Sequence, residues 1–239
     1  MIITLASGNK KKLKELDEIL KHTELSCEPI TSNEEIDVIE DSLTFIGNAT
    51  KKAISYAKHL NKVVVADDSG LCVDVLNGMP GIYSKRYAGL SDYENNVKLL
   101  DVLKNKENRK AYFICAIALA FPDGKVFTYE AKWHGTIANE MKGHNGFGYD
   151  PVFIPDGMKD VVASLDENYK MTHSHRYQAL KKFVEDKDEI INYWRHTWQK
   201  WYFKENITKR NWFWLASKHG GLRFRYGNNW TIKNDCGQR

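Results

Sequence analysis

The sequence predicts an α/β fold, and three stretches carry that reading. Ile2-Ile3-Thr4-Leu5-Ala6 is a short apolar run, followed by the turn residues Ser7-Gly8-Asn9 and by an amphipathic segment from Lys10 to Lys21. Val63-Val64-Val65-Ala66 is a β-branched run of the kind that forms a buried strand. Ala111 to Phe121 is strongly apolar, and Pro122-Asp123-Gly124 turns it into a second run, Lys125 to Ile137, which is a hairpin signature. Strands alternating with helical periodicity point to a sheet covered by helices.

Bulk properties narrow the class. At 239 residues the chain can bury one full domain and carry an appendage. Its 42% apolar and 28% charged content is ordinary for a globular protein. There is no run of apolar residues long enough to span a membrane. The N-terminus enters a strand and a lysine-rich helix directly, so no secretory signal is expected. Cys27, Cys72, Cys115 and Cys236 show no metal-ligand or CxxC spacing. Reduced thiols in a cytoplasmic protein are expected, with Cys115 in the core. Charge is uneven: Trp194–Arg239 has ten Lys/Arg against Glu205 and Asp235, a balance of +8, which leaves about −4 for the rest. Six of the seven tryptophans lie there too. Such a break sets a boundary near residue 190, giving domains 1–189 and 190–239.

In chain order, the first strand is read as central to the sheet. Leu13, Leu16, Ile19 and Leu20 then share one face of the helix after it. A Ser-Gly-Asn turn before a helix opening Lys10-Lys11-Lys12 suits an anion, since free N–H groups and the helix dipole both favour negative charge. Ser7 and Asn9 add donors and Lys12 a point charge. Alone, Lys10, Lys11 and Lys14 read as a solvated face. Residues 25–39 read as a second strand and an irregular connection. A helix is predicted over Leu43–Leu60, capped by Asp41 or Ser42, with Leu43, Ile46, Ala49, Ala53, Ala57 and Leu60 as its apolar stripe. Asn48 and Lys52 are four apart and project from one side of it. Glu40 precedes it, free to face a metal.

Asp67-Asp68-Ser69-Gly70 closes the valine strand. Paired acids beyond a strand end in an α/β sheet suit a hard cation with phosphate ligands. The same residues are also ordinary turn formers. Leu71–Leu76 is expected to return antiparallel, with a tight turn at Asn77–Gly81 and a helix at Tyr93–Leu103. Gly143–Pro151 is glycine-dense yet contains Phe147, Tyr149 and Asp150. An exposed ring there can stack on a base, or the aromatics can pack into the core. Ser174 is a candidate N-cap that places His175 and Arg176 in a first helical turn. An arginine at that end opposes the dipole, so a nearby anion or ligand acceptor is expected.

Ser7-Gly-Asn-Lys-Lys-Lys12, Glu40 with Thr44-Phe45 and Asn48–Ala53, Ala66–Leu71, Pro80–Arg86, Gly146–Phe153 and Ser174–Ala179 occur in fixed order. Together they resemble the inosine triphosphate pyrophosphatase family, the XTP/dITP diphosphatases, over roughly residues 1–188. The resemblance implies a mixed central sheet flanked by helices, in two lobes with an active-site cleft between them. It also implies a Mg²⁺-dependent homodimer that hydrolyses purine nucleoside triphosphates to monophosphate and pyrophosphate. By position, Ser7, Gly8, Asn9, Lys10, Lys11, Lys12 and Lys52 would form the phosphate site. Glu40 and Asp68 would hold the metal, Asp68 would take the proton of the attacking water, and Asp67 would assist. Ser69 would contact substrate, Phe147 would stack on the base, and Gly148, Tyr149 and Asp150 would complete that wall. Lys170, His175 and Arg176 would read the purine, whose C6 oxygen suits donors and separates inosine and xanthine from adenine. Many relatives have glycine in place of Lys11 and Glu in place of Gly47. A mid-helix glycine costs roughly 1 kcal/mol of helix propensity.

The family pattern does not cover the tail. Segments such as Trp198–Lys204 and Arg223–Tyr226 interleave bases and aromatics, which suits single-stranded nucleic acid or an acidic membrane surface. A small accessory or dimer-contact element, or a segment without a function of its own, are the other readings. A nucleotide or single-stranded nucleic-acid binding protein with little hydrolysis is therefore the competing function.

Overall fold

The computed structural model describes residues 1–89, 91–198, 223–226 and 229–232. It divides into two compact units, Met1–Asp188 and Glu189–Arg239. In the first unit, six strands form one mixed sheet: β1 (Ile2–Leu5), β2 (Ser26–Pro29), β3 (Val64–Val73), β4 (Lys110–Ala120), β5 (Val126–Ile137) and β6 (Phe153–Pro155), in the order β2-β1-β3-β4-β5-β6. β1 runs parallel to β2 and β3, and the remaining pairs are antiparallel. β1 is therefore second from one edge rather than central. The long strands are β3, β4 and β5, and they form the spine of the unit.

α1 (Lys10–Leu20) buries Leu16 and Leu20 and is capped by Asn9, whose side chain accepts from the Lys11 N–H. α2 (Phe45–Leu60) starts two residues later than predicted, because Thr44 accepts from the Gly47 N–H and is the cap. Leu43 is consequently outside the helix and 87% exposed, not part of its apolar stripe. α3 (Asp92–Val102) follows a Ser91 cap. α4 (Glu167–His173) is a short helix that periodicity did not reveal. It leads through the Ser174 cap into α5 (His175–Glu185), where Ser174 accepts from the Tyr177 N–H as expected.

The largest correction concerns β3. Asp67, Asp68, Ser69 and Gly70 do not end it, and no return strand begins at Leu71. All four lie mid-strand, with Asp67 opposite Ile117 and Asp68 opposite Ala116 on β4. Turn-forming residues are tolerated because β4 offers an unbroken apolar ladder partner. Gly70 allows the close approach of the Gly81–Ser84 segment: a Cβ there would lie 2.5 Å from the Gly81 carbonyl oxygen. Ser84 Oγ in turn accepts from the Leu71 N–H at 2.8 Å.

Two apolar clusters lie along this spine. Val64 and Ala66 pack with Ala49, Ala53 and Tyr56 of α2, while Leu71 and Val73 pack with Leu99, Phe113, Trp133 and Phe153. Asp67, Asp68 and Ser69 fall between the two clusters along the strand. That polar interval between two cores locates the candidate site.

Cys115 is fully buried in the core, and Cys27, Cys72 and Cys115 are free thiols. No helix among the described residues is long and apolar enough to cross a membrane. α6 (Lys187–Tyr193) and a π-helical turn at Trp194–Trp198 follow α5, and β7 (Arg223–Tyr226) pairs antiparallel with β8 (Asn229–Ile232). Residues 199–222, which include most of the Trp198–Lys204 stretch, and Cys236 lie outside the described residues, as do the side chains of Arg223–Tyr226. The nucleic-acid reading rested on those groups.

Candidate active site

Successive strand residues point to opposite faces of a sheet, and this separates the two aspartates. Asp67 faces α1 and α5. Its Oδ1 accepts from Lys12 Nζ at 2.7 Å and its Oδ2 from Arg176 Nη2 at 3.1 Å. Burial would raise its carboxyl, but the two cations hold it well below the usual carboxylate range. Arg176, 5% exposed, also donates to Glu15 Oε2 and to Ser69 Oγ, both at 3.2 Å. Burial opposes its charge, and Asp67 and Glu15 keep it protonated. The anion expected beside an arginine in a first helical turn is thus supplied by the protein.

Asp68 faces α2. Its Oδ2 accepts from Asn48 Nδ2 at 3.0 Å and its Oδ1 from the Ser69 N–H at 2.9 Å. Asn48 is itself fixed, since its Oδ1 accepts from the Ser42 N–H at 2.9 Å. No cation bonds Asp68 among the described residues. Burial, followed by the charges of Glu40 and Asp67, raises its carboxyl to about 6 against the lowering hydrogen bond from Asn48. Glu40 Oε1 accepts from Lys52 Nζ at 2.9 Å, and burial of that lysine is outweighed by its bond to Glu40, so its ammonium is held charged. Asn48 and Lys52, one turn apart on α2, therefore serve one acid each.

The three lysines opening α1 diverge, as the 100° step of a helix requires. Lys12 turns inward to Asp67. Lys11 stands over the Phe147 ring, 5.0 Å from its centroid. Lys10 lines an open groove with Ser7, Gly8, Asn9, Ser32 and Glu35. In the loop before the helix, Ser7 Oγ accepts from the Asn9 N–H at 3.2 Å, so the turn is ordered by its own side chains.

Phe147 is 38% exposed and forms a wall of a cavity of about 290 Å³. Its loop is held from behind. Asp150, 1% exposed, accepts from the Phe147 N–H at 2.8 Å and from Lys170 Nζ. Burial raises the Asp150 carboxyl, and Lys170 counters this. Gly146 is needed here: its φ is +83°, and a Cβ would lie 2.1 Å from Asp150 Oδ2. Lys170 Nζ lies 3.9 Å from the centroid of the Phe147 ring; such contacts are worth about 0.5–1 kcal/mol at exposed sites. α3 clamps the next residue, Asp92 accepting from the Gly148 N–H at 2.6 Å and Asn96 donating to its carbonyl at 2.8 Å. Tyr149 is buried and donates to the Ser84 carbonyl at 2.8 Å, so it supports the wall from the core side. His175 is buried and stacked on Phe113, 4.8 Å between centroids, and burial holds it neutral.

The structure thus gathers Lys12, Asp67, Ser69 and Arg176 into one bonded group and, as a second, sets the Lys52–Glu40 pair close enough to the Asn48–Asp68 pair for Glu40 to act on Asp68 by charge. Phe147, Gly148, Asp150 and Lys170 form a third. Glu15, Asp92 and Asn96 were not foreseen. Glu15 is one helical turn beyond Lys12, a spacing that marks a shared face. Nothing local in the sequence links Asp92 or Asn96 to a loop more than fifty residues away.

A divalent cation fits the second group by charge. Asp67 is balanced by Lys12 and Arg176 and Glu40 by Lys52, while Asp68 has only neutral donors and a raised pKa. The donors are carboxylate oxygens, which suit Mg²⁺. No group of three or more His, Cys, Asp or Glu converges on one point among the described residues. Magnesium bound by one or two carboxylates plus substrate phosphates needs no such cage.

The sequence model of the Ham1 family matches residues 3–186. A dITP/XTP pyrophosphatase of Acholeplasma laidlawii is 53% identical over 200 residues, covering 84% of this chain and all of that protein. One from Desulforamulus reducens is 44% identical over 192 residues, covering 77% of this chain and 94% of that protein. A solved HAM1 protein from Coxiella burnetii superposes with a TM-score of 0.75 at 38% identity, covering 79% of this chain and 99% of the other. A Ham1 protein from Staphylococcus aureus gives 0.72 at 40% identity, with 78% and 100% coverage. The match spans the sheet, both apolar clusters and every charged group described above, and the chain belongs to the Ham1 family.

Proposed function

We propose that this protein is a hydrolase that cleaves non-standard purine nucleoside triphosphates, dITP and XTP among them, to the monophosphate and pyrophosphate. The observation that carries the reading is the unequal pair on β3: one aspartate locked between cations, its neighbour short of positive charge and raised to about 6. The names of relatives at up to 53% identity, all dITP/XTP pyrophosphatases, support the same reaction.

Asp68 accepts the proton of the water that attacks the α-phosphorus. A general base works best with a pKa near the working pH, and burial beside Glu40 moves Asp68 that way. Asn48 fixes the orientation of its carboxylate. Glu40 and Asp68 would hold Mg²⁺, which supplies charge neutralisation on the triphosphate when bound. Lys52 and Lys12, with the Ser7–Asn9 turn and Lys10, bind phosphate oxygens. Phe147 stacks on the base, its loop held by Asp150 and Lys170. Arg176 Nε and His175 Nδ1 are buried without a partner, which costs about 1–3 kcal/mol each until an acceptor or donor arrives. A purine with a C6 oxygen offers Arg176 an acceptor where adenine offers an amino group. Asp67 assists by fixing Lys12 and Arg176. The protein acts on the cytoplasmic nucleotide pool, as a homodimer for which exposed Tyr93 and Val97, four apart on α3, offer apolar surface. The pyrophosphatase domain comprises residues 1–189, with residues 190–239 as a basic appendage.

The test is pyrophosphate release from dITP and XTP with Mg²⁺, by the wild-type protein and by Asp68→Asn. Release by the first and near-loss in the second is expected. Orthophosphate alone, or no product from any triphosphate, sinks the proposal. Nucleic-acid binding by the tail, the competing reading, is then compared for the full chain at two salt concentrations.

A further inference from the structure

Lys11 and Lys170 both stand over the Phe147 ring, at 5.0 and 3.9 Å from its centroid. The charged groups around the cavity beside that ring are Lys11, Lys14 and Glu15 from α1, Asp166, Glu167 and Lys170 at α4, and Asp150 behind the ring. Several of these are engaged. Glu15 bonds Arg176, Lys170 bonds Asp150, and Asp166 caps α4 by accepting from the Asn168 N–H. Among the described residues Lys11 and Lys14 are the cations of this pocket without a carboxylate partner.

A nucleobase stacked on a face of Phe147 displaces any ammonium group that covers that face. Lys170 is tethered by an ion pair to Asp150, whereas the Lys11 ammonium has no hydrogen bond or ion pair among the described residues and feels Asp150 only at longer range. Lys11 is therefore the group that yields, moving from the ring to the rim of the bound base. What it meets there depends on the base. Hypoxanthine is neutral. Xanthine has carbonyls at C2 and C6 beside an acidic ring N–H, and it exists largely as an anion at neutral and alkaline pH. We propose that Lys11 is a specificity-determining residue that favours the anionic xanthine base over neutral hypoxanthine. This rests on the reading of the Phe147 cavity as the base site. Whatever Lys11 contributes to the triphosphate is common to both nucleotides and cancels in their ratio.

The experiment measures kcat/KM for XTP and ITP, which differ only at C2, with wild-type protein, Lys11→Met and Lys11→Arg across a pH series. At mildly alkaline pH, Lys11→Met should lower the XTP:ITP ratio roughly three- to fivefold, the scale of one partly exposed charge pair. Lys11→Arg should keep most of it. The gap between Lys11→Met and wild type should close on acidification, as xanthine takes up its proton. An unchanged ratio in Lys11→Met, with both nucleotides losing equally, overturns the inference and leaves Lys11 a phosphate contact. Absence of pyrophosphate from either nucleotide is a failure of the pyrophosphatase reading instead. Calorimetric binding of XMP and IMP to the same proteins then decides: preferential loss of XMP affinity in Lys11→Met supports the inference, and equal loss overturns it.

Discussion

On one face of β3, Asp67 sits between Lys12 and Arg176, with Glu15 and Ser69 completing the group. On the other face, one residue later, Asp68 meets an amide from Asn48 and the N–H of Ser69, with Glu40 adding negative charge nearby. The same side chain is thus locked in its ionised form in one place and raised to about 6 in the other. The first arrangement joins β3 to α1, which follows the Ser7–Asn9 turn, and to α5, which opens with His175 and Arg176. The second leaves a carboxylate able to change its protonation state. Strand alternation sends neighbouring aspartates into two environments, one with cations and one without.

The comparison breaks most readily through activity. Asp68→Asn keeps the size of the side chain and one of its two hydrogen-bond acceptors but removes the proton acceptor, and pyrophosphate release should fall by roughly 10²–10⁴-fold. Thermal unfolding of that variant should be little changed. Asp67→Asn should behave oppositely, because it leaves Arg176 and Lys12 short of an anion. Breaking a buried pair from one side costs about 3–5 kcal/mol, readable as a fall in the urea midpoint. If Asp68→Asn proves the more unstable of the two, the division of labour is wrong.

Stability against pH sharpens the contrast. Asp67 is depressed in the folded protein, so its contribution is present above the unfolded carboxylate pKa and is lost as pH falls through the folded value. Asp68 is raised, so the folded state binds its proton first, and its contribution to stability diminishes as pH rises through about 6. A carboxyl ¹³C titration of the metal-free protein should place the Asp68 midpoint near about 6. Asn48→Ala should raise that midpoint by removing a bond to the charged form. A midpoint in the ordinary carboxylate range would remove the basis for Asp68 as base.

Smaller effects are expected at the base wall. Phe147→Ala should raise KM by removing stacking, worth roughly 1–3 kcal/mol where it has been measured on nucleobases, with kcat less affected. Asn96→Ala should give a milder rise in KM of the same kind, since Asp92 still holds the Gly148 N–H. Equal loss of kcat and kcat/KM in Phe147→Ala would argue against a base platform.

Much of this was legible in the sequence. The valine run, the hairpin at Pro122–Gly124 and the Ser174 cap are local patterns, and each appears where periodicity and turn chemistry place it. The order of motifs from Ser7 to Ala179 pointed to the family. What could not be read locally was decided by partners distant in sequence. Asp-Asp-Ser-Gly has the composition of a turn, and only the paired length of β4 shows that the strand continues through it. That continuation is also what sends Asp67 and Asp68 to opposite faces. Thr44 displaced Asp41 and Ser42 as a cap by one hydrogen bond to Gly47, which left Leu43 outside. Arg176 looked like a free reader of purines, yet its two terminal nitrogens are engaged by Asp67, Glu15 and Ser69, leaving Nε. The clamp of Asp92 and Asn96 on Gly148 has no local signature at all.

The most direct test takes Asp67→Asn and Asp68→Asn side by side, measuring pyrophosphate release from dITP and the urea midpoint on the same preparations. The account predicts that Asp68→Asn folds like wild type and is nearly inactive, while Asp67→Asn is clearly less stable and retains more turnover. Substantial pyrophosphate release by well-folded Asp68→Asn would contradict it.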